Sequence, residues 1–100
     1  VSVNFNALHK AFESRIRLGI MSALMVNDQL DFSALKEFLD VTDGNLATHL
    51  KALEKEAFVE SKKSFIDRKP NTAYRATSIG RAAFEEHLRI LETLINRGIK

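Results

Sequence analysis

Leu46, Leu50 and Leu53 recur at i, i+4 and i+7, which lines one side of an α-helix and predicts a helix over 43–56. At about 100° per residue, Gly44, Thr48, Lys51 and Lys55 fall within roughly 50° of the opposite direction. That outer side is small, hydroxylic and positive, with little to bury. Thr42 is placed to cap the first turn, and Asp43 suits the positive end of the helix dipole. Before it, Leu35, Phe38 and Leu39 form the buried side of a shorter helix over 32–39, capped by Asp31. Only Asp40 to Thr42 separate the two. Upstream, Phe5, Leu8 and Phe12 carry helical spacing over 4–12. Ile16, Ile20 and Leu24, with Met21 beside them, do the same over 14–26, with Ser14 as cap. Asn27-Asp28-Gln29 breaks that pattern, and Leu30-Asp31-Phe32 leaves room for one brief strand.

The period changes at Phe58. Phe58 to Ile66 is not helical in pattern, and its ends are rich in strand formers. Asp67-Arg68-Lys69-Pro70-Asn71 reads as a turn and holds the only proline, and Thr72 to Thr77 alternates as a returning strand. The segment over about 58–77 is therefore a β-hairpin with a basic tip. Ser78 or Thr77 caps a last helix over 78–96, closed by Gly98. Its apolar set (Ile79, Ala83, Phe84, Leu88, Ile90, Leu91, Leu94, Ile95) exceeds one stripe. Two readings fit that excess: one side packs internally and the other on a second subunit, or the whole set packs in one core. Together the elements predict a mainly α protein with a small β-hairpin. The order is that of a winged helix-turn-helix with an added C-terminal helix, as a single domain over 1–100.

Composition narrows this little, and charge distribution more. The 100 residues are 45% hydrophobic, enough for one folded domain, and the net charge of +2 decides nothing. Between Ser61 and Arg75, however, Lys62, Lys63, Arg68, Lys69 and Arg75 stand against Asp67 alone. This segment carries +4 while the rest sums to −2. There is no cysteine, hence no disulfide, thiolate metal site or cysteine nucleophile. His9, His49 and His87 lie far apart and form no HxxxH or HExxH zinc motif. No glycine-rich phosphate loop or G-x-S-x-G elbow appears, so we expect no enzyme, no metal and no cofactor. No run approaches the roughly 18 apolar residues that span a bilayer, and Val1 to Phe5 lacks a signal-peptide pattern.

Four elements then resemble a known family: Asp31-Phe32-x-x-Leu35-Lys36, Thr42-Asp43-Gly44-Asn45-Leu46-x-x-His49-Leu50-x-x-Leu53-Glu54, Lys63-x-Phe65-x-x-Arg68-Lys69-Pro70-x-Thr72-x-Tyr74 and Gly80-Arg81-x-Ala83-Phe84. They resemble the compact winged-helix regulators, small single-domain relatives of the MarR and ArsR transcription factors. The likeness runs from about Leu8 to Leu94, and its specific parts are Thr-Asp-Gly-Asn-Leu and Arg-Lys-Pro. It implies a cytoplasmic, prokaryotic, homodimeric DNA-binding protein whose terminal helices meet in the dimer. Phe5, Leu8, Phe12, Leu88, Leu91, Leu94 and Ile95 are the expected contact residues. Two departures stand out. Ala57 occupies a position where such sequences often have glycine, and the absence of cysteine rules out the metal sensing of the ArsR branch. No polar constellation marks an effector pocket.

On that plan, double-stranded DNA is the partner. Amides at the start of the 43–56 helix and the Thr42 hydroxyl meet a phosphate. Gly44 permits close approach, Asn45 and Thr48 meet base edges, and Lys51 and Lys55 reach phosphates. His49, at the border of the two faces, either contacts the DNA backbone or packs on the preceding helix. Asp43 is a helix-start charge rather than a base reader. In the hairpin, Lys62, Lys63, Arg68 and Lys69 grip DNA, with Arg68 suited to a narrow minor groove. The plain counter-readings are a solvated helix face and a solvated hairpin. The other functional class is a winged helix that binds an acidic protein instead of DNA.

Overall fold

A serine, an aspartate and a threonine start the three helices that follow one another through the first half of the chain. The computed structural model describes residues 5–97. Ser14 Oγ accepts the Arg17 N–H and opens α1, Arg15–Met25, which buries Ile20, Met21, Ala23 and Leu24. Asp31 Oδ1 accepts the Ala34 N–H at 2.8 Å and opens α2, Phe32–Leu39. Thr42 Oγ1 accepts the Asn45 N–H at 3.2 Å and opens α3, Asp43–Lys55. Each cap satisfies an amide that the first helical turn leaves unpaired. Leu46, Leu50 and Leu53 are fully buried, as their spacing requires. Each such burial contributes about 1.5–3 kcal/mol relative to exposure.

Two features of the helical half differ from the pattern. The helix expected over 4–12 is, from Phe5 onward, a pair of single 3-10 turns, Phe5–Ala7 and Lys10–Phe12. His9 separates them. Its backbone is extended and its Nδ1 accepts the Ala11 N–H at 3.0 Å, so the ring acts as a cap that restarts the chain. Phe12 leaves the expected surface stripe and is 1% exposed in the core. Its ring centroid lies 5.4 Å from that of Phe58, and 5.1 Å from those of Phe84 and His87. Phe38 is the second departure, exposed rather than buried. The stripe that packs on the core is Phe32, Leu35 and Leu39, and Phe38 is turned about 100° from its middle.

Three short strands form the wing: β1 (Leu30–Asp31), β2 (Val59–Ile66) and β3 (Lys69–Ala76), antiparallel in the order β1-β3-β2. The turn is tighter than expected. Asp67 and Arg68, both at positive φ (52° and 67°), form a two-residue type I′ connection between Ile66 and Lys69. Pro70 therefore lies in β3 opposite Phe65, outside the turn. It is tolerated there because its nitrogen faces away from β2, and β1 reaches only Ala73 and Tyr74.

The last helix, α4, spans Ser78–Arg97, and Gly98 lies outside the described residues. Thr77 is its cap: its Oγ accepts the Gly80 N–H at 2.9 Å and donates to the Ala57 carbonyl at 2.6 Å. This joins α4 to the end of α3, where Ala57 stands at φ 63°. The Ala57 N–H bonds the Glu54 carbonyl and the Phe58 N–H the Leu53 carbonyl, each at 2.9 Å. That is a complete Schellman motif with alanine in the left-handed position glycine usually holds. The departure noted in the sequence is thus accommodated at a cost of about 1–2 kcal/mol. Ala57→Gly is expected to stabilise the domain by about 1 kcal/mol, raising the melting temperature by roughly 4–8 °C.

Candidate nucleic-acid interface

The outward side of α3 is open. Thr42, Gly44, Asn45, Thr48, Lys51 and Lys55 are all exposed, and a Cβ built on Gly44 meets nothing within 4 Å. Asp43 is paired with Lys36 of α2 at 2.8 Å, so the one acidic group in the first turn is neutralised by its neighbour helix. That keeps an uncompensated carboxylate away from any anion approaching the helix start. Lys36 belongs to the first of the four family-like elements, but no spacing marked its pairing with Asp43.

His49 is half-buried, and its ring is held by α1. Its Nδ1 is 3.0 Å from Arg17 Nη1 of α1. A guanidinium only donates, so Nδ1 accepts and Nε2 carries the ring proton. Burial, and then the Arg17 charge, lower the His49 pKa below its ordinary value. Arg17 also went unmarked by any spacing.

The hairpin directly continues the α3 end. Lys62, Lys63, Arg68 and Lys69 are exposed, and among the described residues neither they nor Lys51 and Lys55 are held in an ion pair. Arg75 is different: it bonds Glu60, its partner in register, at 3.1 Å, and contributes no free charge. Strand alternation sorts the rest. Lys63 shares the face of Phe65 and Pro70, which nearer the helices carries buried Val59 and Ala76; Lys62 and Lys69 share the opposite face. Both faces of the outer hairpin therefore carry positive charge.

On α4, Leu88 and Ile95 are exposed, Leu91 and Leu94 half-buried, and near them in the N-terminal turns Phe5 is exposed and Leu8 half-buried. Phe12 is the residue of the expected dimer set that has no surface to offer. His87 is also buried, on the inner side of α4, and its Nδ1 accepts the His9 N–H at 3.2 Å. Burial, and then His9, lower its pKa. With both His87 and His49 depressed in the folded state, the unfolded chain binds more protons below about pH 6.5. Their contribution to stability is complete above that pH and is lost as pH falls through the folded values. Thermal melts from pH 7 down to 5.5 are expected to show falling stability, and His87→Gln, which keeps an acceptor, is expected to flatten the dependence.

Among the described residues no helix is long and apolar enough to cross a membrane. A family model described as a winged helix DNA-binding domain matches residues 16–95. An uncharacterized protein of Methanocaldococcus jannaschii is 43% identical over 79 residues, covering 79% of this chain and 86% of that one. Among solved structures, the transcriptional regulator homologue protein from Pyrococcus horikoshii OT3 superposes with a TM-score of 0.77 at 32% identity, over 92% of this chain and 96% of that chain. A regulator of the MarR family from Enterococcus faecalis V583 shares the fold, with a TM-score of 0.73 at 24% identity over 93% of this chain and 79% of that one. The fold and the family match together define a winged helix-turn-helix DNA-binding protein. The chain belongs to the winged helix DNA-binding domain family.

Proposed function

We propose that this protein is a sequence-specific, homodimeric transcriptional regulator that reads the major groove with α3 and grips backbone or minor groove with its wing. The observation that carries this is the outward set on α3. Gly44 has open space above it, Asn45 and Thr48 stand exposed beside it, and Lys51 and Lys55 are free of ion pairs among the described residues. Small residues bring the helix backbone close to the groove floor, where Asn pairs bidentately with adenine and the Thr methyl meets thymine. The lysines then hold phosphates, which supply affinity without sequence preference.

Selection of bound duplexes from a random pool tests the reading. A recovered inverted repeat supports both base reading and two-fold symmetry. Recovery of no preferred sequence overturns base reading. The dimer is assigned to the outer side of α4 with Phe5 and Leu8, where Leu88 is 44% and Ile95 80% exposed. Leu88→Glu with Ile95→Glu is expected to give a folded monomer by light scattering, because both side chains leave the core untouched while a carboxylate is costly in an apolar contact. A wild type that is already monomeric at micromolar concentration contradicts the dimer.

A further inference from the structure

Four hydrogen bonds run in series from α4 to α3 through the N-terminal turns. The His9 N–H donates to His87 Nδ1 at 3.2 Å, and the Ala11 N–H to His9 Nδ1 at 3.0 Å. Arg17 Nε donates to the Ala11 carbonyl, and Arg17 Nη1 to His49 Nδ1 at 3.0 Å. One guanidinium thus spans the N-terminal segment and the border of α3. Its planar fork fixes both donors in one orientation, which a lysine ammonium does not.

We propose that Arg17 is a positioning residue of the DNA interface, setting the rotation of α3 about its axis through His49; this rests on the reading of α3 as the helix that meets bases. The inward face of α3 is Leu46, Leu50 and Leu53, and apolar packing of this kind is strong but not directional. Rotation is the freedom such a face controls least. It is also the freedom that base reading tolerates least. With side-chain tips about 6 Å from a helix axis, a turn of about 10° moves them by about 1 Å. A shift of that size takes a base-edge hydrogen bond out of range, while long lysines reaching phosphates follow it. A directional bond at the edge of the leucine face corrects this. His49, one residue after outward Thr48 and one before buried Leu50, is that edge.

The test measures affinity for a duplex recovered by selection and for a random-sequence duplex of equal length, across salt concentrations, with melting temperatures alongside. Arg17→Gln is expected to lose about tenfold on the selected duplex, the worth of one charge-assisted hydrogen bond. It is expected to lose less than about twofold on random duplex, with an unchanged salt slope. His49→Gln, whose amide oxygen still accepts from Arg17, retains selected binding. His49→Ala reproduces the Arg17→Gln loss, and the double variant loses no more than either. Equal loss on both duplexes with a slope lower by about one makes Arg17 a phosphate ligand and overturns the proposal. A lower melting temperature with both affinities unchanged, or additive losses, overturns it as well. Should Arg17→Gln not fold, the contrast of His49→Ala with His49→Gln on the half-buried ring carries the same decision. Asn45→Ala separates the two failures. If it relaxes sequence preference and the Arg17 and His49 variants do not, only this inference fails; if the wild type has no preference to relax, the reading of α3 fails.

Discussion

Gly80→Ala is expected to lower the melting temperature by roughly 10–15 °C, whereas the chemically identical Gly44→Ala is expected not to lower it. Both glycines lie in first helical turns, where alanine is intrinsically favoured by up to about 1 kcal/mol. Their surroundings are opposite. A Cβ on Gly44 meets open space, so the propensity gain stands alone. A Cβ on Gly80 lands on the backbone of Phe58, within impossible distance of its carbonyl oxygen, carbonyl carbon and Cα. That backbone has nowhere to go. The Phe58 carbonyl accepts the Thr77 N–H at 3.0 Å, its N–H closes the Schellman motif at 2.9 Å, and its ring sits in the aromatic cluster with Phe12 and His9. Forcing atoms into a packed site costs about 1–3 kcal/mol, and more where neighbours are pinned. Net of propensity we expect about 2 kcal/mol, read as a thermal shift at about 4–8 °C per kcal/mol. Equal melting temperatures for the two alanine variants would show that α4 does not approach Phe58 this closely.

The contrast shows which parts of the molecule were legible from its residues. Caps and leucine spacing are local, so Ser14, Asp31 and Thr42 mark helix starts that the structure places within a residue of expectation. The winged-helix order follows from those starts. What failed depends on partners far along the chain. Phe12 continues a helical spacing with Phe5 and Leu8, but the rings that bury it are Phe58, Phe84 and His87. His9 breaks the first helix because its own ring caps Ala11, while its N–H is held by a residue 78 positions later. The hairpin turn misled for a different reason. Two left-handed residues usually mean Asn-Gly or Asp-Gly, and here they are Asp67 and Arg68, so proline looked like the better marker. In the candidate interface, the exposed residues of α3 and the wing were readable from period and charge. The contacts of Arg17 with His49 and of Lys36 with Asp43 were not, because they join different helices and follow no sequence spacing.

Replacing Arg68 and Lys69 by alanine is expected to weaken binding to every duplex, selected or random, while leaving the fold intact. Both residues are exposed at the hairpin end, and among the described residues neither is in an ion pair. The folded state therefore loses no pairing energy. Alanine at position 68 inherits the left-handed strain of arginine at φ 67° and adds none. If each cation displaces one counterion from a phosphate, the slope of log affinity against log salt should flatten by about 0.9 per residue, about 1.8 together. Extrapolated from a common 1 M reference, this corresponds to a loss of roughly sixtyfold at 0.1 M salt. Arg68→Gly sharpens the test because its two effects oppose. Glycine suits a type I′ position, so the hairpin should gain up to about 1 kcal/mol, while the slope still falls by about 0.9. A protein that becomes more stable and binds DNA less tightly locates the role of Arg68 at the phosphate or minor groove and not in the fold. Should the double alanine variant keep both its affinity and its salt slope, the wing has no part in gripping DNA, and binding would then have to rest on α3 alone.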